Sequence, residues 1–126
     1  MMLASTHAGM AFSNSSVTLI HGMSRPVGAA YHVPHGLSNA MLAPAITSFS
    51  LGGAVDRYAH VARALGMCPV GSSDSDAADH LCKNLYALNA ELKVPSLAHW
   101  TGVEKADFLR DVPGMAAAAL SNRNIR

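Results

Sequence analysis

Residues 20–36 read IHGMSRPVGAAYHVPHG, a stretch holding His21, His32 and His35 without one acidic side chain. His21 and His35 are each followed directly by glycine. Neutral imidazole ligates divalent transition metals well, and it also moves protons near neutral pH. The two residues are fourteen positions apart, so they cannot be one-turn neighbours, which come at i, i+3 or i, i+4. To meet, they must sit at the end of one helix and the start of another. Residues 22–34 would have to fold them together, and Gly22, Pro26, Gly28, Pro34 and Gly36 punctuate that segment. Two histidines are not yet a catalytic metal site, which takes at least three protein ligands. On spacing alone, metal ligation and buried structural histidines both stay open.

The surroundings limit what these residues can serve. At 126 residues, half of them hydrophobic, the chain is one domain at most and long enough to bury a core. A net charge of +1 gives no electrostatic reason to expect nucleic acid or an anionic membrane. Residues 1–55 contain one formally charged side chain, Arg25, while all eight acidic residues lie from Asp56 onward. His32, Pro34, His35, Asn39 and Pro44 interrupt that uncharged run, so no window of about 20 apolar residues suits a membrane span. The expectation is that residues 1–55 are buried nearly all round, partly by something outside their own chain. Two cysteines, Cys68 and Cys82, make no disulfide framework and no signal-peptide pattern stands at the start, so a reduced, cytoplasmic setting is expected.

The elements that must carry the histidines read as helices, and the fold class as all-α. No period-2 alternation marks a strand. Val55, Tyr58, Ala59, Ala62 and Leu65 form one apolar stripe, stopped by Gly66. Ala78, Leu81, Cys82, Leu85, Leu88 and Leu92 form a second, entered through Ser73 and Asp74 and ended by Pro95. Thr101 to Glu104 has capping-box spacing before a helix with Ala106 and Leu109, and Pro113 breaks that helix or opens the next. Residues 3–21 and 36–49 are helix-compatible but apolar on every side. Asp74, Asp76 and Asp79 lack calcium-loop spacing and read as helix-start carboxylates. Cys68 and Cys82 read as small core residues, His60, His80 and His99 as surface residues, and His7 as a core or interface histidine.

The residues themselves add a resemblance. Residues 8–49, AGMAFSNSSVTLIHGMSRPVGAAYHVPHGLSNAMLAPAITSF, resemble the signature region of the iron-containing (group III) alcohol dehydrogenases nearly position for position. The likeness continues less specifically through RYAHVARALG, LNAELKVP and VPGMAAAAL, and so covers almost the whole chain. It implies the helical C-terminal domain of a dehydroquinate-synthase-like fold. In that family three histidines and an aspartate bind a divalent metal, iron or zinc, in a cleft facing a nucleotide-binding α/β domain. By resemblance His21 and His35 occupy two ligand positions, and Phe12 lines the substrate pocket. Arg25 stands where many members carry a further histidine.

The sequence departs from the whole family pattern in what it lacks: a Gly-rich phosphate-binding turn and an Asp-x-x-x-His pair upstream of His21. The expectation is therefore a partial chain, residues 1–126 of helical domain without the nucleotide-binding domain. The resemblance implies part of an oxidoreductase interconverting a primary alcohol and an aldehyde with NAD(P), the isolated chain being inactive and holding metal or cofactor weakly or not at all. The alternative is a non-catalytic helical fragment that associates with itself, as a homo-oligomer, through a face containing Phe12, Ile20 and Leu37. No nucleic acid or membrane partner is expected.

Overall fold

The computed structural model describes residues 1–100 and 102–121. Among these residues, six α-helices carry the fold: α1 (Met2–Ser15), α2 (Leu19–Tyr31), α3 (His35–Ser50), α4 (Val55–Ala64), α5 (Asp74–Glu91) and α6 (Lys105–Leu120). Short 3-10 turns sit at Leu51–Gly53 and Leu97–His99. No strand occurs among the described residues, so the all-α expectation holds. Among them, no helix is long and apolar enough to cross a membrane.

The second half folds as its stripes predict. Ala59 and Ala62 of α4 meet Ala77 and Leu81 of α5, all at most 5% exposed. Alanines on both sides bring the two helix backbones close together. Ser73 caps α5, its Oγ accepting the Asp76 N–H at 3.1 Å, and Asp74 and Asp76 fall in the positive first turn. After α4, Gly66 is left-handed (φ 65°). Its N–H donates to Arg63 O and the Met67 N–H to Ala62 O, a Schellman ending that absorbs two orphan carbonyls. Lys93 (φ 55°) ends α5 the same way, two residues before the expected stop at Pro95. The stripes overreach at their ends: Leu65, Leu88 and Leu92 are exposed. Cys82 is buried and Cys68 half-buried, both free thiols, and burial foremost raises the Cys82 pKa.

The prolines do not break helices. Pro26, Pro44 and Pro113 lie inside α2, α3 and α6, so residues 22–34 are mostly helix rather than turns, and the helix after residue 104 runs on through Pro113. A helical proline removes one N–H and frees the carbonyl four residues earlier. For Pro44 that carbonyl is Ala40 O, which accepts Asn89 Nδ2 of α5 at 2.7 Å. The bond that helix α3 loses becomes its tie to α5.

Three expectations on local structure are corrected. Residues 3–21 are not one helix, because Ser16 turns left-handed (φ 70°) and separates α1 from α2. Glu104 is the residue preceding α6, with no side-chain cap bond, rather than a third-position partner within the helix. Thr101, the other half of that capping box, lies outside the described residues. Finally, α1 has no buried residue at all. His7 is exposed on it, and the near-complete burial expected of residues 1–55 is not supplied by this chain.

Candidate metal centre

Phe12, His21 and His35 come together. Their rings form a row, with centroids 6.4 Å apart from Phe12 to His21 and 5.3 Å from His21 to His35. Phe12 stands in the last turn of α1, and the bend at Ser16 turns the chain so that His21 follows in the first turn of α2. The Ser16 N–H closes that corner on Phe12 O at 2.8 Å. His21 thus lies near the start of its helix, not at the end of one, while His35 opens α3 as expected.

The distance is closed by a short return. Helix α2 ends at His32, left-handed (φ 52°) and exposed. Residues 32–34 then run back along the helix. Gly28 permits this, since a Cβ there would meet Val33 O at 3.1 Å, closer than most packed side chains tolerate. Val33 itself is 4% exposed, which anchors the return in apolar contact. Two further bonds hold this end of α2: Trp100 Nε1 donates to Tyr31 O at 3.2 Å, and Tyr31 Oη donates to Asp111 of α6 at 2.9 Å. Burial, then the Asp111 hydrogen bond, raises the Tyr31 pKa.

Around His35 the neighbours are small and polar. Ser24 and Ser38 are both 0% exposed. Ser38 Oγ donates to His35 O at 3.0 Å. Ser24 Oγ lies 3.4 Å from His35 Nδ1, and Asn39 Nδ2 lies 3.1 Å from His35 Nε2. Sequence reasoning passed over Ser24 and Ser38, since small polar residues at these positions break no pattern, and took Asn39 only as a polar break in the apolar run. Burial, then the His35 imidazole and the Arg25 guanidinium, lowers the His21 pKa. His21 is accordingly neutral at neutral pH, with a lone pair to offer.

Two facing imidazoles suit a divalent transition metal by donor type. Among the described residues, no group of three His, Cys, Asp or Glu side chains converges. The donor set fits one side of a metal site and does not complete one.

The chain belongs to the Fe-containing alcohol dehydrogenase family, whose C-terminal profile matches residues 1–126. It is 38% identical to the 1-propanol dehydrogenase of Salmonella typhimurium over 98% of this chain and 34% of that one. It is 35% identical to the lactaldehyde reductase of Escherichia coli over 97% of this chain and 31% of that one. A solved 1,3-propanediol oxidoreductase superposes with TM-score 0.83 and 31% identity over 94% of this chain and 30% of that one. An alcohol dehydrogenase from Oenococcus oeni gives TM-score 0.81 and 32% identity over 93% of this chain and 30% of that one. The chain spans about a third of the length of the curated relatives it matches.

Proposed function

We propose that this chain is the metal-binding helical part of an alcohol dehydrogenase that interconverts a small primary alcohol and its aldehyde with NAD(P). The observation that carries the reading is the 5.3 Å approach of the His21 and His35 rings, two residues fourteen positions apart in sequence, on the two helices joined by the return of residues 32–34. His21 and His35 supply two ligands to Fe2+ or Zn2+. The other donors, and the nucleotide-binding element, come from parts of the enzyme outside these 126 residues. A bound metal of this kind polarises the substrate oxygen and stabilises alkoxide charge.

The chain's own residues do the rest. The lowered His21 pKa favours ligation, because less proton competition opposes the cation. Phe12, stacked beside His21 at 30° between ring planes, offers an apolar wall to the carbon chain of the substrate and keeps water from the reacting carbon. The relatives named for 1-propanol and 1,3-propanediol support a short aliphatic alcohol. The test is assay of the enzyme containing this chain with propanal and NAD(P)H. His21→Ala and His35→Ala should each abolish turnover and bound metal, while Phe12→Ala should raise KM. Full activity in either histidine variant would contradict the assignment.

A second reading has its own observation. On α1, Met2, Leu3, Met10 and Phe12 are exposed by 51% or more, and a groove of about 450 Å³ between α2, α3 and α6 is lined by Leu19, Leu42, Ile46, Phe49 and Leu120. Apolar surface on that scale marks an interface, and the alternative is a helical piece that associates with itself. Light scattering decides: a dimer dispersed by Ile20→Asp or Leu37→Asp supports it, and a monomer at high concentration excludes it.

A further inference from the structure

We propose that His35 is held between two side chains with opposite effects on metal capture: Ser24 positions it for ligation, and Asn39 competes with the cation for the same nitrogen. The inference rests on the reading of His35 as a metal ligand given above.

The argument begins with what each partner can do. Asn39 Nδ2, 3.1 Å from His35 Nε2, is a donor only. An N–H···N bond requires Nε2 to be the bare nitrogen. A neutral imidazole then carries its single proton on Nδ1, which faces the fully buried Ser24 Oγ at 3.4 Å. Asn39 Oδ1 is buried with no hydrogen-bond partner among the described residues, so the bond this amide makes is the one from Nδ2 to His35.

This tautomer is the one a metal needs at Nε2, and it is set before any cation arrives. Nδ1 cannot serve instead, because it is turned toward Ser24 in the interior. A cation must therefore displace the Asn39 amide. Histidine ligands are commonly oriented by a partner on the other ring nitrogen, and Ser24 takes that place from α2 while Asn39, one turn along α3 from His35, guards the open lone pair. Ser24 keeps its bond whether or not metal is bound; Asn39 loses its own.

The experiment has two arms on the 126-residue chain. Long-range 15N NMR of the metal-free protein near neutral pH reads the tautomer directly, and His35 should show a bare Nε2 and a protonated Nδ1. Co2+ titration followed by visible absorption then compares variants. Asn39→Ala should bind Co2+ about fivefold more tightly, the value of one released neutral hydrogen bond. Ser24→Ala should bind roughly tenfold more weakly. A merely structural role would weaken binding in both, and that result would overturn the proposal. So would a protonated Nε2 in the metal-free chain, which leaves His35 a candidate ligand all the same. No Co2+ binding by any of the proteins, wild type included, would show that the two histidines of this chain capture no metal by themselves and would overturn the proposal, while the metal reading of the whole enzyme would still stand.

Discussion

Helices α4 and α5 close on themselves; helices α1 to α3 do not. The α4–α5 pair has alanine faces in contact, a Ser73 cap at one end of α5, Schellman endings on both helices and the Arg63–Asp74 ion pair at 2.7 Å. The Ser73 cap and the Gly66 ending each have a sequence signal within a few residues. The first three helices carry the candidate chemistry instead. There α1 buries nothing, neither α1 nor α3 has a side-chain cap, and Ser24, Ser38 and Pro44 are packed without exposure. Their only formal charge is Arg25. The contrast teaches where each half finds its stability: α4–α5 within itself and α2–α3 in contacts across elements, while α1 buries none of its residues.

The comparison can be broken by substitution, beginning with the largest effect. Leu81→Ala opens a cavity in the α4–α5 core and should destabilise by about 2–5 kcal/mol in urea unfolding. A loss under about 1 kcal/mol would mean that this pair is not an independent core. Next comes Asn89→Leu, which leaves the Ala40 carbonyl freed by Pro44 without its donor. The expected cost is about 1–3 kcal/mol, with faster amide exchange in α3 as the local signature. Ser73→Ala removes the α5 cap and should cost about 1 kcal/mol, with fraying confined to Asp74–Ala77. Smallest is Met10→Ser on α1. For a monomer it should change stability by no more than about 0.5 kcal/mol, and a larger, concentration-dependent loss would show that another copy covers α1.

What was legible follows the same division. Ser73 and Asp74 at the entry to the α5 stripe, and Gly66 after the α4 stripe, are short-range signals with a physical mechanism, and α4 and α5 stand where they point. Pro26 and Pro113 misled because a helical proline's cost is local and its compensation is not, whereas the helix expected over 36–49 does run through Pro44. Nothing near Pro44 announces that Asn89, on another helix, will take up the carbonyl it frees. The bend at Ser16 is equally silent, since a left-handed serine carries no glycine to mark it. Phe12, His21 and His35 were picked out by resemblance, and spacing alone required only that helix ends bring the histidines together. The means, a return of residues 32–34 passing over Gly28, depends on a close approach that no periodicity records.

The central claim is that this chain presents half of a metal site through His21 and His35 together. Its most direct test is equilibrium titration of the purified chain with Fe2+ or Zn2+ against a competing chelator, for wild type, His21→Ala, His35→Ala and the remote His80→Ala. The account predicts weak binding at one metal per chain, unchanged in His80→Ala and lost in each of the other two variants. Binding that survives loss of either histidine, or a stoichiometric metal that resists the chelator in the isolated chain, would contradict it.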